Sequence, residues 1–399
     1  MITVVGIGAD GWPSLTAEGR DAVLAADLLV GGERHLALLP PDVAGERRAW
    51  PTPLTELVDE LPALAEGRSV VVLASGDPLL HGVGVTIVRR LGDAAVRIVP
   101  NVSSLAIACA RLRWPQAGVE LVSATGRVAE VVAPALQPGR RLVVLGFGRR
   151  SAAEVARVAR ERGFGRSRLV VLEELGGAGE RVEESTADGW GDREAAELHL
   201  VALEVRGDGP LLARAPGLPD DAYEHDGEIT ERHVRAATLA ALVPVPGQLL
   251  WDIGAGSGSV AIEWMRAAPG ARAIAIEADE QRAARIARNA LRLGVPSLEV
   301  VTGEAPEALD GLRERPDAIF IGGGLTGYGL LTRCRKALRR GGRLVANVAT
   351  VEGEIFVSRA QAEQGGRLTR LAVAHAEPAD GLMAWRPAAP VTQYELRVR

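Results

Sequence analysis

The sequence is poor in the residue types that mark several other protein classes. Its 399 residues include 2 Cys and 6 His, and aromatic residues make up 4%. Cys109 and Cys334 provide neither a disulfide framework nor zinc-ligand spacing, and the scattered histidines predict no metal site. No basic leader and no long apolar run is seen, so we expect neither a signal peptide nor a membrane span. These absences predict a cytoplasmic protein without a metal.

Lysine is almost missing too, since Lys336 is the single lysine and the other basic side chains are arginine. The net charge of −5 gives no overall attraction for nucleic acid. A basic stripe or an aromatic platform for stacking bases is also lacking. Hydrophobic residues make up 47% of the chain, enough for two or three domains with sizeable cores. We therefore expect a small-molecule partner, with no nucleic acid and no membrane.

Short β-branched runs alternate with amphipathic stretches, which predicts α/β domains built on parallel sheets. Residues 206–222 are rich in Gly, Pro and Asp and predict a linker between a domain at 1–205 and a domain at 223–399. The last two strands are expected to form an antiparallel pair at a sheet edge. The predicted strands are Thr3–Gly6, Ser69–Leu73, Val96–Val99, Glu120–Ser123, Leu142–Leu145, Arg168–Leu172 and His199–Val205, then Leu249–Ile253, Ala273–Glu277, Leu298–Thr302, Ala318–Ile321, Leu344–Val348, Leu368–Ala374 and Thr392–Val398.

The clearest motif is a glycine-rich turn that follows the strand Leu249–Ile253. Its glycines, Gly254, Gly256 and Gly258, let the backbone turn tightly and approach a ligand without a Cβ in the way. The next helix begins at once and offers free N–H groups. Glu277 ends the following strand about 20 residues later, where a carboxylate can accept hydrogen bonds from both ribose hydroxyls.

This pattern fits either a dinucleotide or S-adenosylmethionine, and the spacing favours S-adenosylmethionine. Gly-x-Gly-x-Gly after Asp252 differs from the dinucleotide pattern Gly-x-Gly-x-x-Gly. Asp252 can hold the positive end of a methionine moiety, whereas an acid at that position would repel a pyrophosphate. A purely structural turn and a nucleotide site without methyl transfer are the alternatives.

Residues 223–399 contain the lead-in Asp226-Gly227-Glu228-Ile229-Thr230, the turn after Leu249–Ile253, and Ile319-Phe320-Ile321-Gly322-Gly323-Gly324. With these motifs they resemble the C15-methylating, decarboxylating precorrin methyltransferases, which have a seven-stranded class I, Rossmann-like fold. It departs at Glu231, where Lys is expected. It implies that Glu304 and Ala305 flank an adenine and that Gly322 and Gly323 border the substrate.

Three loops of the first half each follow a predicted strand, where open α/β sheets bind ligands. They contain Gly6-Ile7-Gly8, Ser75-Gly76-Asp77-Pro78 and Asn101-Val102-Ser103-Ser104. In this order they resemble the class III tetrapyrrole methyltransferases of the precorrin C5-methylating type. The resemblance covers residues 1–205 and implies a two-lobed fold that holds a second S-adenosylmethionine. Ala9-Asp10, Asn101 and Thr125 depart from the usual Pro-Gly, Gly and His.

Together the two resemblances imply a bifunctional enzyme of cobalamin biosynthesis, forming a homo-oligomer (dimer or tetramer). They imply C5 and C15 methylation of precorrin-6B and loss of CO2 from the C12 acetate, giving precorrin-8X, without PLP or metal. The same chemistry on a cobalt-containing intermediate, an RNA or protein methyltransferase, and a non-catalytic cofactor-binding regulator are the alternatives. The residues predicted to bind cofactor are Asp252, Gly254, Gly256, Gly258, Glu277, Glu304 and Ala305 in the second half and Gly8, Gly76, Asp77, Pro78, Ser103 and Ser104 in the first half. The residues predicted to bind substrate are Gly322, Gly323, Thr230, Arg232 and Arg127. The residues predicted to be catalytic are His233, Arg235 and Asn347.

Overall fold

A computed structural model describes residues 1–146 and 148–398. The chain forms two compact units, and the division does not follow the chain in a single cut. The first unit comprises Met1–Ala129 and Pro138–Gly209, and the second comprises Glu130–Gln137 and Pro210–Arg399. In the described part of the chain, no helix is both long enough and apolar enough to cross a membrane.

The first lobe of the first unit is a parallel five-stranded sheet with the order β3-β2-β4-β1-β5. Its central strand, β4, carries a continuous apolar run, Val70–Ala74, that is buried on both faces because helices cover the sheet on both sides. The elements are β1 (Ile2–Ile7), α1 (Ala17–Leu24), β2 (Leu28–Gly31), α2 (Glu33–Ala37), β3 (Glu46–Ala49), α3 (Thr55–Leu64), β4 (Val70–Ser75), α4 (Val83–Leu91), β5 (Val96–Val99) and α5 (Ser104–Leu112).

The second lobe is a mixed five-stranded sheet with the order β6-β7-β10-β8-β9. Only β6 and β7 run parallel, and the other neighbours are antiparallel. The elements are β6 (Val119–Ser123), β7 (Arg141–Leu145), α6 (Ser151–Glu161), β8 (Arg168–Glu173), β9 (Arg181–Thr186), α7 (Ala187–Trp190) and β10 (His199–Glu204). The predicted two-lobed α/β fold is confirmed.

The second unit contains a seven-stranded sheet with the order β13-β12-β11-β14-β15-β19-β16, as predicted for a class I methyltransferase. The strand β11 lies inside this sheet, between β12 and β14, and is buried along its whole length. The elements are α8 (Arg232–Leu242), β11 (Leu249–Ile253), α9 (Ser259–Ala267), β12 (Arg272–Glu277), α10 (Glu280–Arg292), β13 (Glu299–Thr302), β14 (Ala318–Ile321), α11 (Leu330–Ala337), β15 (Arg343–Val348), α12 (Val351–Gln364), β16 (Arg367–Leu371), β17 (Ala374–Ala379), β18 (Leu382–Pro387) and β19 (Val391–Arg397).

The sequence did not predict five of the strands: β2, β3, β9, β17 and β18. The strands β3 and β9 are charged edge strands, so they lack the apolar alternation that marks a strand. The pair β17–β18 forms a separate antiparallel hairpin where a loop was expected. The predicted antiparallel pair exists as β16 and β19, but only β16 lies at the edge, because β19 also pairs with β15.

The predicted linker at 206–222 is packed onto the second unit from Pro210 onward. Leu218 is buried in the core of that unit, together with Tyr223 just beyond the linker. Glu263 on α9 accepts hydrogen bonds from the backbone N–H groups of Gly217 and Leu218, which holds the segment in place. The boundaries at 205 and 222 stay predictions, but this stretch is not a free connection.

Candidate functional site

A cavity of about 810 Å³ lies in the second unit at the carboxyl ends of the parallel strands. The glycine-rich turn after β11 lines one side of it, and the loop after β14 lines another. Parallel strands place their following loops at one edge of the sheet, which is where open α/β sheets bind ligands. Of the residues predicted from the sequence, the cavity is lined by Thr230, Gly254, Gly256, Glu277, Glu304, Ala305, Gly322, Gly323 and Asn347.

The glycine-rich turn needs its glycines for two different reasons. Gly254, Gly256 and Gly258 all have positive φ angles, of 68°, 59° and 77°. A Cβ on Gly254 would lie 2.8 Å from the backbone nitrogen of Gly323, so the two loops approach too closely for a side chain. A Cβ on Gly258 would instead lie 2.7 Å from Ile286 of α10, and Gly258 does not line the cavity. Gly258 is therefore needed for packing, and its predicted cofactor role stays a prediction.

Glu277 organises the turn from the end of β12. Its Oε2 accepts a hydrogen bond of 2.8 Å from the Gly256 N–H, and its Oε1 accepts one of 3.1 Å from the Asp279 N–H. The side chain is buried, yet it borders the cavity. Each carboxylate oxygen has a second lone pair, so both can still accept a ribose hydroxyl. This geometry fits the ribose-binding role predicted for Glu277.

Asp252 is not among the residues that line the cavity, and its predicted contact with a methionine moiety stays a prediction. It is 1% exposed, and its Oδ2 accepts a 2.9 Å hydrogen bond from the Ala261 N–H in the first turn of α9. Its Oδ1 has no hydrogen-bond partner among the described residues. Burial raises the pKa of Asp252 to about 7, a hydrogen bond from Ala261 opposes this shift, and the negative charge of Glu277 adds to it. Asp252 thus ties the glycine turn to the helix behind it.

Asn347, at the end of β15, lines the cavity in a fixed orientation. Its Nδ2 donates to Thr238 Oγ1 at 2.8 Å, and its Oδ1 accepts from Gln393 Nε2 at 3.0 Å. Thr238 and Gln393 are both buried, so this small polar network is shielded from water. A side-chain amide held at both ends presents its remaining hydrogen-bonding capacity to the cavity at a defined position.

Two predicted catalytic residues and one predicted substrate residue lie outside the cavity lining. The Arg235 guanidinium is fully buried and bonds to Glu263 Oε1 at 2.6 Å and to Asp220 Oδ1 at 2.9 Å, so its role is structural. His233 is exposed and contacts Glu231, the N-cap of α8. Arg232 is also exposed, and its backbone N–H faces Asp220.

The three predicted loops of the first unit meet at the carboxyl ends of β1, β4 and β5. A Cβ on Gly6 would lie 2.0 Å from the Gly76 carbonyl oxygen and 2.8 Å from Cβ of Asn101. The Gly76 N–H donates to the Ile7 carbonyl at 2.9 Å, and Gly76 has a φ of 51°. Asn101 Nδ2 donates to the carbonyls of Gly6 and Ser14 at 3.1 and 3.0 Å. The side-chain amide of Asn101, at a position where the family usually has glycine, thus holds the loop after β5 against the loop after β1.

Other predicted residues of this unit surround that meeting point. Asp77 Oδ1 accepts the Leu79 N–H at 2.9 Å, and the Gly8 N–H donates to Ser14 Oγ at 2.9 Å. Ser103 caps α5 by accepting the Ala106 N–H at 3.1 Å, and Ser104 begins that helix. Arg127 lies on the exposed turn after β6. Pro78 packs so closely that a Cβ on Gly82 or Gly84 would lie 2.6 or 2.7 Å from its carbonyl oxygen.

Sequence reasoning missed residues on both units. In the first, His35 Nε2 lies 2.8 Å from Ser75 Oγ, and Arg34 reaches the same oxygen, because the unpredicted strand β2 ends beside β4. Burial lowers the pKa of His35 to about 4, with a further contribution from Arg34. In the second, Glu228 and the residues flanking the β17–β18 hairpin line the cavity. Their separation along the chain leaves no local pattern that could reveal them.

The cavity fits S-adenosylmethionine on two independent grounds. Gly254 and Gly256 line the cavity without side chains, and the Glu277 carboxylate lies beside them. Glu304 and Ala305, from the loop after β13, border the same cavity, where an adenine was expected.

Comparison with known proteins adds to this geometry. Residues 1–189 match the family model described as Tetrapyrrole (Corrin/Porphyrin) Methylases, and residues 221–398 match the model described as Precorrin methyltransferase domain. A precorrin-6Y C(5,15)-methyltransferase (decarboxylating) of Sinorhizobium sp. is 47% identical over 395 residues, covering 98% of this chain and 95% of that protein. A protein of the same name from Mycobacterium tuberculosis is 42% identical over 402 residues, covering 100% of both chains.

Among solved structures, the C-terminal domain of precorrin-6Y C5,15-methyltransferase from Rhodobacter capsulatus is 43% identical, with a TM-score of 0.44. The match covers 47% of this chain and 100% of that domain.

The two folds, the cavity and the two family models define an S-adenosylmethionine-dependent tetrapyrrole methyltransferase. More narrowly, the chain belongs to the precorrin-6Y C(5,15)-methyltransferase (decarboxylating) family of cobalamin biosynthesis. The predicted fold, enzyme class and family are confirmed. The alternatives of an RNA or protein methyltransferase and of a non-catalytic regulator are set aside.

Proposed function

We propose that the chain methylates precorrin-6B at C5 and C15 and removes the C12 acetate carboxyl as CO2, giving precorrin-8X. The first unit would carry the C5 transfer, and the second would carry the C15 transfer and the decarboxylation. Each unit would bind one S-adenosylmethionine, and neither reaction would use PLP. The observation that carries the proposal is the Glu277 carboxylate, held against the Gly256 N–H at 2.8 Å on the cavity wall.

When bound, S-adenosylmethionine supplies an activated sulfonium methyl group. The side chains of the second unit then need to align the donor with a carbon of the macrocycle, a role for which effective molarities reach about 10⁵–10⁸ M. Gly254, Gly256, Glu277, Glu304 and Ala305 would hold the donor. Gly322, Gly323, Thr230 and Asn347 would border the tetrapyrrole, whose conjugated ring accepts the electron pair left by CO2.

In the first unit we propose that Gly8, Gly76, Asp77, Pro78, Ser103 and Ser104 hold the second donor. The support is the convergence of their three loops, shown by the 2.0 Å separation between a Cβ on Gly6 and the Gly76 oxygen. Arg127 stays a candidate for a substrate carboxylate on the exposed turn after β6. Homo-oligomerisation and a cytoplasmic location also stay predictions.

The test is mass spectrometry of the tetrapyrrole after incubation of the purified chain with precorrin-6B and S-adenosylmethionine. We expect two added methyl groups and one lost carboxyl group. The Gly256→Val variant should give a singly methylated product that keeps its carboxyl, because valine at a φ of 59° is strained and its Cβ would meet the Glu228 carbonyl oxygen at 3.1 Å.

Gly311→Val is the matched control, since a Cβ there meets nothing within 4 Å. Its product should equal that of the wild type. Two added methyl groups in the Gly256→Val product would overturn the division of labour, and an unchanged mass with the wild type would overturn the substrate. Turnover of the cobalt-containing intermediate alone would transfer the proposal to that substrate.

A further inference from the structure

Three potential metal ligands meet beside the cavity, two at the start of α8 and one from the β17–β18 hairpin. They are Glu231, His233 and His375, and their ligand atoms all lie within 4.8 Å of one another. Glu231 Oε1 is 2.6 Å from His233 Nδ1 and 3.6 Å from His375 Nε2. The imidazole rings of His233 and His375 have centroids 5.5 Å apart and are tilted by 43° relative to each other. The cluster joins two elements that are remote in the sequence.

The carboxylate of Glu231 is fixed before any ion binds. Its Oε2 accepts hydrogen bonds from the backbone N–H groups of His233 at 2.9 Å and Val234 at 3.1 Å, as the N-cap of α8. Its Oε1 is thereby turned toward the two histidines. Hydrogen bonds to the outer oxygen of a ligating carboxylate orient it and stabilise a metal site.

We propose that Glu231, His233 and His375 form a binding site for a divalent transition-metal ion, with Zn²⁺ as the ion that fits best. Two imidazoles and one carboxylate form a ligand set that favours Zn²⁺ over Mg²⁺ or Ca²⁺. Metal–ligand bonds of about 2.0–2.2 Å place tetrahedral ligand atoms about 3.3–3.5 Å apart. The Glu231–His375 separation of 3.6 Å already matches this value, and the 2.6 Å Glu231–His233 hydrogen bond would open by less than about 1 Å.

The ion would lie between Glu231 Oε1 and His233 Nδ1, and the proton of the neutral imidazole would move to Nε2 of the same ring. The side chains of His233 and His375 are 56% and 48% exposed, so an ion can reach the cluster from solution. Three protein ligands leave a fourth position open to water or to a carboxylate. Because Glu231 also lines the cavity, the ion would tie the β17–β18 hairpin to α8 at the edge of that cavity. This proposal goes beyond the proposed function and runs against the absence of metal that the sequence predicts.

The test is a titration of the chelator-treated full-length chain with Zn²⁺ alone, measured by competition with a chromophoric chelator. We expect the wild type to bind one Zn²⁺ per chain. His233→Ala and His375→Ala should each bind Zn²⁺ more than about 100-fold more weakly, since even changes outside the ligand set cost about 10–100-fold in metal affinity. His225→Ala is the matched control, because His225 is an exposed histidine near α8 that instead accepts the Gly227 N–H at 3.2 Å. It should bind Zn²⁺ like the wild type.

Hydrogen exchange provides a second readout that does not depend on the affinity assay. Zn²⁺ should slow backbone exchange in β17 and β18 of the wild type and of His225→Ala, and should leave exchange unchanged in the His375→Ala variant. Failure of the wild type to bind Zn²⁺ would overturn the proposal, as would wild-type affinity in both ligand variants. Circular dichroism of each variant checks that it is folded. No tetrapyrrole or S-adenosylmethionine is present, so the outcome is independent of the proposed methyltransferase reaction.

Discussion

At the scale of single residues, Asp252 behaves differently from the other acid of the site. Glu277 accepts hydrogen bonds with both oxygens, whereas Asp252 accepts one from Ala261 and leaves Oδ1 without a partner among the described residues. A buried carboxylate without compensating hydrogen bonds favours its neutral form. The pKa of about 7 for Asp252 expresses this cost.

The pKa of Asp252 gives a pH dependence with a definite sign. Its folded pKa of about 7 lies above the ordinary value of about 3.9. Between these values the folded chain binds more protons than the unfolded chain, so stability falls as the pH rises toward 7 and just beyond. Since one pKa unit corresponds to about 1.4 kcal/mol, the loss is at most about 4 kcal/mol. In the Asp252→Asn variant this loss disappears, because the amide does not ionise.

Urea unfolding of the wild type and of Asp252→Asn at pH 5 and pH 8 measures the effect. The stability of the variant relative to the wild type should rise as the pH increases. Asn289→Asp is not a suitable control, because Asn289 is itself buried and makes hydrogen bonds to Glu224 and Ser257. Glu280→Gln, an exposed change at the start of α10, should leave the pH dependence as it is in the wild type. A pH-independent difference between Asp252→Asn and the wild type would contradict the prediction.

At the scale of elements, a buried ion pair attaches α8 and the segment before it to α9. Glu263 of α9 accepts hydrogen bonds from Arg235, from the Tyr223 hydroxyl and from the backbone of Gly217 and Leu218. Arg235 also donates to the carbonyl oxygens of Thr230 and Leu218. Every contact of this guanidinium is internal, so its positive charge is satisfied by structure rather than by substrate.

Arg235→Met should destabilise the chain by about 3–5 kcal/mol, because it leaves Glu263 as an uncompensated buried charge. The double variant Arg235→Met with Glu263→Gln should recover part of that loss. Arg272→Met serves as the matched control, since its ion pair with Glu314 is exposed and pairs of that kind contribute less than about 1 kcal/mol. Denaturant unfolding followed by tryptophan fluorescence measures all three. Equal losses in Arg235→Met and Arg272→Met would refute the structural role.

The sequence predicted the elements whose apolar periodicity is a local property. The strand β11, the glycine turn after it and Glu277 were all expected, because a strand, a turn and a helix follow one another within one stretch of chain. Charged edge strands such as β3 and β9 were missed, since burial on one face alone leaves too little apolar signal. The β17–β18 hairpin was missed because its apolar residues, such as Trp385 and Leu382, are exposed instead of forming a core.

Individual site residues were harder to assign than elements. Gly256 and Asp252 belong to the same motif, yet only Gly256 lines the cavity. Asp252 is buried beneath the glycine-rich turn and accepts a hydrogen bond from α9. Arg235 was predicted to be catalytic, whereas its partners in the structure, Asp220 and Glu263, lie in other segments of the chain. The cluster around Glu231 also depends on His375, which only the tertiary fold brings near α8. Long-range contacts of this kind leave no trace in local spacing.

At the scale of the whole molecule, the chain passes between its two units at Ala129, Gln137 and Gly209. The segment Glu130–Gln137 belongs to the second unit, although the residues on both sides of it belong to the first. Its contact with Gly294 is close: a Cβ there would lie 2.4 Å from Pro134 Cδ and 2.8 Å from the Glu130 carbonyl oxygen.

A protease site inserted after Gly209 tests this arrangement. After cleavage, the two fragments should elute together in size-exclusion chromatography, because the first fragment still carries a segment that packs in the second unit. Gly294→Glu should weaken that association. Gly270→Glu is the control variant and should leave the association as in the wild type. Gly270 also has a positive φ, of 69°, but a Cβ there comes no closer than 3.9 Å to another group. Fragments that separate in the cleaved wild type would contradict the prediction.

The segment Glu130–Gln137 has a consequence for any attempt to divide this enzyme into two genes. A boundary at residue 209 would give one product carrying a stretch of its neighbour's interior and another missing that stretch, around Gly294. The second product would need its own copy of this segment to complete the packing around Gly294.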